Sequence, residues 1–187
     1  MKHYILKKHH FSNTLILTSY IVCMLSVSAC GIDEADNTYS TKYKVAFFFE
    51  INRSAELFNT MGNPGMYANI RQVNGLIRIT DVSGKYNDYE PTKLGTDFRY
   101  GLGGLIVGNT ALGEAVAYDL ACPNCDRSDY RLSLPGNGTA KCKRCGTDYD
   151  LNNNGWILST TKSQDSELRG LYRYKIVFNG VTINVFN

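Results

Sequence analysis

Four cysteines constrain this chain more than any other feature. Cys122 and Cys125, then Cys142 and Cys145, make two Cys-x2-Cys pairs with sixteen residues between them. Each pair turns both sulfurs to one side of a tight loop, and two such loops converge naturally on one tetrahedral centre. A fold for this chain must therefore bring residues 122–125 and 142–145 face to face. Three chemistries fit the spacing. The thiols hold a metal, they form two structural disulfides in an oxidising compartment, or one pair is a thioredoxin-like redox couple. The last belongs at a helix N-terminus in a βαβ unit, whereas Pro123-Asn124 and Asp126-Arg127-Ser128-Asp129 read as a loop between strands. The metal is the favoured reading.

The other two of the six cysteines, Cys23 and Cys30, lie in an N-terminal segment of different character. Residues 1–10 are basic, and residues 11–29 are mostly apolar or small, ending Leu25-Ser26-Val27-Ser28-Ala29-Cys30. That is the order of an export signal. Its strongly apolar core, Leu15 to Leu25, is shorter than the ~20 residues that span a bilayer. Val27-Ser28-Ala29-Cys30 resembles the bacterial lipobox, which implies removal of residues 1–29 and acylation of Cys30, with enough lipid chains for stable anchoring in a bilayer. The acidic run after it, Gly31 to Asp36, resembles the surface-export tags of Bacteroidota lipoproteins, though a solvated linker reads much the same. The expected organisation is a signal peptide over 1–29, a lipidated Cys30 with a flexible tether over 30–42, and a folded domain over 43–187. The expected location is the outer membrane, on its periplasmic face or the cell surface.

Removing the signal changes what the rest can do. The chain's three histidines, His3, His9 and His10, all go with it, so the mature part lacks the usual general base and the commonest nitrogen ligand. Three of the 20 basic side chains go too, leaving 17 against 17 acidic ones. A mature net charge of zero argues against nucleic acid as a partner. No nucleophile motif or phosphate loop stands out; Gly101-Leu102-Gly103-Gly104 reads as a turn before a strand. An enzyme is not expected.

Strand signals run through the mature chain. They fall at 43–51, 76–82, 104–108, 114–120, 130–134, 172–178 and 181–186, and residues 54–61 suggest a short helical turn before Gly62-Asn63-Pro64-Gly65. The alternation Val116, Tyr118, Leu120 predicts a half-buried strand. Asn179-Gly180 between two β-rich runs predicts a type I′ hairpin. The fold class expected is all-β, a small sandwich or barrel carrying two knuckle loops.

The second loop, Cys142-Lys143-Arg144-Cys145-Gly146-Thr147-Asp148-Tyr149-Asp150, resembles that of Rieske domains, Cys-x2-His-Gly-Ser-x-Phe/Tyr-Asp, and Cys122-Pro123-Asn124-Cys125 resembles their Cys-x-His loop. Flanking stretches Gly104–Val107, Ala115–Leu120 and Gly155–Leu158 are similar to the family's strands, so the likeness covers roughly 100–187. It implies a Rieske-like β fold and a sulfur-bound centre, with Thr147 and Tyr149 donating hydrogen bonds to sulfur. The departures are large. Cys125 and Cys145 stand in both histidine slots, the first loop is one residue longer, and prolines 64, 91, 123 and 135 leave no Pro-rich shielding loop. A conventional high-potential cluster, which needs two histidines on one iron, is excluded.

Twin Cys-x2-Cys pairs are the pattern of mononuclear zinc or iron sites. Zn²⁺ is therefore favoured at Cys122, Cys125, Cys142 and Cys145, with an all-cysteine 2Fe–2S cluster as the alternative and a single iron after it. Lys141, Lys143 and Arg144 beside the second pair read as a solvated turn, and less readily as a docking surface. The function expected is an envelope-anchored, metal-stapled binding or interaction module, with an electron carrier as the alternative.

Overall fold

The computed structural model describes residues 39–91, 97–162 and 167–187. The export signal, Cys30 and most of the expected tether lie outside them. The last tether residues do not: Ser40 N–H donates to Arg173 O at 2.7 Å, and Asn187 Nδ2 donates to Ser40 O at 2.9 Å.

Among the described residues the fold is all-β apart from one short α-helix and a 3-10 turn. β1 (Val45–Glu50) runs through a 3-10 turn at Ile51–Arg53 into α1 (Ala55–Gly62). Ser54 caps that helix, its hydroxyl accepting from Leu57 N–H at 3.2 Å. Then come β2 (Tyr67–Val73), β3 (Leu76–Asp81), β4 (Tyr86–Tyr89), β5 (Arg99–Tyr100), β6 (Leu105–Asn109) and β7 (Ala115–Asp119). β8 (Thr139–Lys141), β9 (Asp148–Asp150), β10 (Trp156–Ser159), β11 (Arg173–Phe178) and β12 (Thr182–Phe186) complete the chain. Nine strands form one antiparallel sheet in the order β4-β3-β2-β6-β7-β11-β12-β1-β5, and β10-β9-β8 form a second. The end strands β4 and β5 do not pair with each other, so the large sheet is no closed barrel.

One strand turns the large sheet. β11 pairs with β7 through Arg173 and Tyr174, and with β12 through Lys175 to Phe178. Each half thus serves a different neighbour, and the β1–β12 part shares a core with the β2–β7 part. Phe47, Phe49, Ile183 and Val185 from the first pack with Ile70, Ile79, Leu105 and Val107 from the second. Period-2 alternation sends the other side chains of the central strands to the opposite face. There Tyr67, Ile106, Val116 and Tyr118 meet Ala140, Tyr149 and Leu151 of the small sheet, together with Cys122 and Cys142. The cysteine loops are therefore seated on a core of their own.

Several local expectations are corrected. The stretch from 114 to 120 is not half-buried: Ala117 and Asp119 are as covered as Val116 and Tyr118, because β7 lies between two cores. Residues 130–134 form no strand. They make two isolated bridges, Ala121 with Arg131 and Ser133 with Lys141, because the segment crosses from the base of the first loop to β8. At the last hairpin Phe178 pairs with Ile183, so Asn179 and Thr182 close the turn around Gly180-Val181. Only Gly180 has positive φ there, +87°. The Asn179 carboxamide accepts from Val181 N–H, Thr182 N–H and the Thr182 hydroxyl, which takes Asn179 out of the turn's centre. The I′ pattern, with positive φ at both central residues, occurs instead at Asn74-Gly75 (53° and 83°) between β2 and β3.

Candidate metal centre

β7 ends at Asp119 and leads directly into the first cysteine loop; β8 ends at Lys141 and leads into the second. The two loops have the same backbone. Cys122 C=O accepts from Cys125 N–H and Asp126 N–H at 3.1 and 2.9 Å, and Cys142 C=O accepts from Gly146 N–H at 2.9 Å. The residue after each second cysteine is left-handed, Asp126 at φ 52° and Gly146 at φ 65°. Glycine suits that position. Aspartate does not, and Asp126 is held there by three side chains: Lys42 Nζ, Tyr43 OH (2.8 Å) and Tyr172 OH (2.9 Å). The Lys42 ammonium beside it, with both hydroxyls, holds its carboxyl below the usual range.

The loops bring all four sulfurs within 4.8 Å of one another. The cysteines are free of S–S bonds. Cys122 and Cys142 are buried, Cys125 and Cys145 half-buried. Cys122 Sγ lies 3.5 Å from Cys145 Sγ, and Cys125 Sγ 3.8 Å from Cys142 Sγ. A tetrahedron with metal–sulfur bonds of about 2.3 Å has edges of about 3.8 Å, so these four sulfurs could hold one metal ion.

The surroundings act on the thiols in opposite directions. Burial pushes the Cys122 thiol up to about 11, against a hydrogen bond from Tyr149. Cys125 is pushed up further, by burial first and then by its neighbouring thiols. Cys145 goes the other way. Burial opposes its ionisation, but the Thr147 hydroxyl and N–H bring it down to about 7. Four thiolates this close repel one another unless a positive ion sits among them.

Both expected sulfur donors are at hand. Tyr149 OH is 3.2 Å from Cys122 Sγ, and Thr147 Oγ1 is 3.2 Å from Cys145 Sγ. The direction of the first bond follows from Asn124. Its Oδ1 accepts from Arg169 N–H at 2.8 Å, which leaves Nδ2 to donate to Tyr149 OH at 2.8 Å. The Tyr149 proton is thereby free for sulfur. Thr160 Oγ1 lies 2.9 Å from Thr147 Oγ1 and shares a hydrogen bond with it beside the second bond.

Sequence reasoning did not pick out these supports. Thr161 Oγ1 donates to Cys145 O at 2.9 Å, and Lys162 Nζ to Asn124 O at 2.6 Å. Residues 160–162 and Arg169 therefore lie against the loops, in a chain with no Pro-rich segment to do so. Two of the three basic residues that the sequence did indicate have partners of their own. Lys141 pairs with Asp148, and Arg144 lies over the Tyr130 ring at 5.7 Å.

The Gly-rich stretch is a turn into β6, and its donors are taken. Leu102 N–H and Gly103 N–H donate to the Asp119 carboxylate at 2.6 and 3.0 Å. The loop cradles an anion from its own chain. Comparison of the chain with protein-family models, with curated proteins and with solved structures finds no match.

Proposed function

We propose that this protein is a non-catalytic interaction module, anchored to the cell envelope through an acylated Cys30, whose Rieske-like domain is stapled by one Zn²⁺ on Cys122, Cys125, Cys142 and Cys145. The observation that carries this reading is the sulfur geometry. In a two-iron cluster of Rieske pattern, Cys122 and Cys142 would share one iron, and Cys125 and Cys145, in the histidine slots, the other. Thiolates on different irons stand farther apart than the edge of one tetrahedron. Yet the short contacts here, Cys122 to Cys145 and Cys125 to Cys142, join the would-be partners of different irons. A single ion explains them more simply. With four protein sulfurs bound, that ion has no open position for a substrate.

The second reading is an all-cysteine 2Fe–2S electron carrier. What favours it is the pair of O–H···S bonds from Tyr149 and Thr147, since hydrogen bonds to sulfur tune cluster potentials. One preparation separates the two. Purified anaerobically, the full chain is expected to be colourless, with about one zinc per chain and four thiols shielded from alkylation until the metal is removed. A brown protein with stoichiometric iron and acid-labile sulfide would reverse the order.

The anchor has its own test. Mass spectrometry of envelope-purified protein is expected to find the N-terminus at an acylated Cys30. An intact Met1, or an unmodified N-terminus elsewhere, removes the anchor from the proposal.

A further inference from the structure

Away from the cysteines, the strand row Arg71, Arg78, Asp88 crosses β2, β3 and β4 as directly paired residues. Side chains opposed in this way share a face. The single carboxylate of the row is spent on Arg78, which grips Asp88 through Nε and Nη2 at 2.7 Å each and lies 4.1 Å over the Tyr86 ring. Arg71 has no such partner. Its Nε is buried without a hydrogen bond, and among the described residues no carboxylate pairs with it.

A third guanidinium comes in from the other side. Arg131, on the segment that bridges to Ala121, donates from Nε to Gly103 O at 2.8 Å. The Arg71 stem passes the next residue, Gly104, so closely that a Cβ there would meet Arg71 Cγ at 2.8 Å. The Arg71 stem and the Arg131 guanidinium thus meet at the Gly103-Gly104 corner. Of these three guanidinium groups, only that of Arg78 is ion-paired with a carboxylate among the described residues. Burial, then Arg131, then Arg78 hold the Arg71 guanidinium below its usual range.

We propose that Arg71 and Arg131 form a binding site for a tetrahedral dianion, a phosphate or sulfate group, at the Gly103-Gly104 corner. Guanidinium forks match such oxygens two at a time, and Arg71 and Arg131 have no carboxylate ion pair among the described residues. The site is separate from the cysteine centre and does not depend on which metal that holds.

The test is a thermal melt of the full chain in chloride, titrated with inorganic phosphate at constant ionic strength. A saturable rise of about 5–10 °C is expected at a hundredfold excess over the dissociation constant. Arg71→Gln should remove the rise and Arg131→Gln weaken it. Arg127→Gln, which loses an exposed pair with Asp129 and a contact with the Tyr130 ring, should keep it. Arg71→Gln should also melt no lower than the parent in chloride, since it removes an unpaired charge. Glucose 6-phosphate in place of phosphate tells a ligand-borne group from the free ion. No saturable rise, or an equal rise in Arg71→Gln, overturns the site.

Discussion

Cys142→Ser is expected to strip the chain of its metal and lower the melting temperature by at least about 10 °C. The side chain is 1 % exposed and packs in the second core with Cys122, Leu132 and Tyr149. A serine hydroxyl is a poor ligand where soft thiolates are chosen, and three sulfurs cannot close the tetrahedron. Metal binding at a structural site is largely folding free energy. In zinc-finger peptides it reaches about 10–16 kcal/mol, as large as the whole stability of a typical domain, about 5–15 kcal/mol. Losing even about 4 kcal/mol moves the midpoint by roughly 10 °C in a chain this size. Damage should begin in the second core, because the first, around Phe47, Ile79 and Leu105, contains no cysteine. Hydrogen exchange should accordingly rise first in β8, β9 and residues 120–134.

Three controls give that result its meaning. A chelator should lower the parent's melt to that of Cys142→Ser and leave the variant unchanged. Lys141→Gln, at an exposed ion pair with Asp148, should change stability by less than about 1 kcal/mol. Reductant without chelator should do nothing. If reductant alone lowers the melt and chelator does not, the cysteines are disulfides. If Cys142→Ser melts like the parent, they are not structural ligands at all.

The loops were readable from sequence because their geometry is local. Ligands three residues apart on a tight turn fix their own relation, and the all-β class followed from dense turn signals and β-rich runs. What surrounds the sulfurs was not readable. Asn124 meets Arg169 from 45 residues away, and Lys162 reaches back 38 residues to Asn124. No spacing rule encodes contacts made only when distant strands are in place. Two of the four Asn-Gly pairs teach the same lesson at short range. Asn74-Gly75 adopts the I′ turn, whereas at Asn179-Gly180 Thr182 offers both an N–H and a hydroxyl to the Asn179 carboxamide, and the turn moves on by one residue. Similarly, residues 130–134 (YRLSL) read as a strand, with Leu132 at their centre. Its core contact is real, but the neighbours find single partners on two different elements.

Asp119→Ala is expected to be the most damaging substitution outside the cysteines. The residue is fully buried, and among the described residues no cation forms an ion pair with it. Its Oδ1 accepts from Gly103 N–H (3.0 Å) and Ala121 N–H (2.7 Å), and its Oδ2 from Leu102 N–H (2.6 Å) and Tyr174 OH (2.7 Å). One carboxylate thus ties the turn at 101–104 to β11 and to the residue just before Cys122. Gly101, at φ 71°, lies so close that any side chain there would strike Asp119 and Tyr174. Alanine leaves three backbone N–H groups and one hydroxyl without acceptors, each costing about 1–3 kcal/mol when buried. These costs do not simply add, but a loss of at least about 4 kcal/mol, roughly 10 °C, is expected. Asp119→Asn should fall between. Its one oxygen can keep both Oδ1 bonds, and its amide can donate to Tyr174 OH, so only Leu102 N–H faces a wrong partner. Because Ala121 anchors the first loop, Asp119→Ala should also weaken metal retention in a competition with chelator, and Asp119→Asn less so. The melting order should be parent, then asparagine, then alanine. An alanine variant that melts and holds metal like the parent would show that the turn and the loop are positioned without this carboxylate.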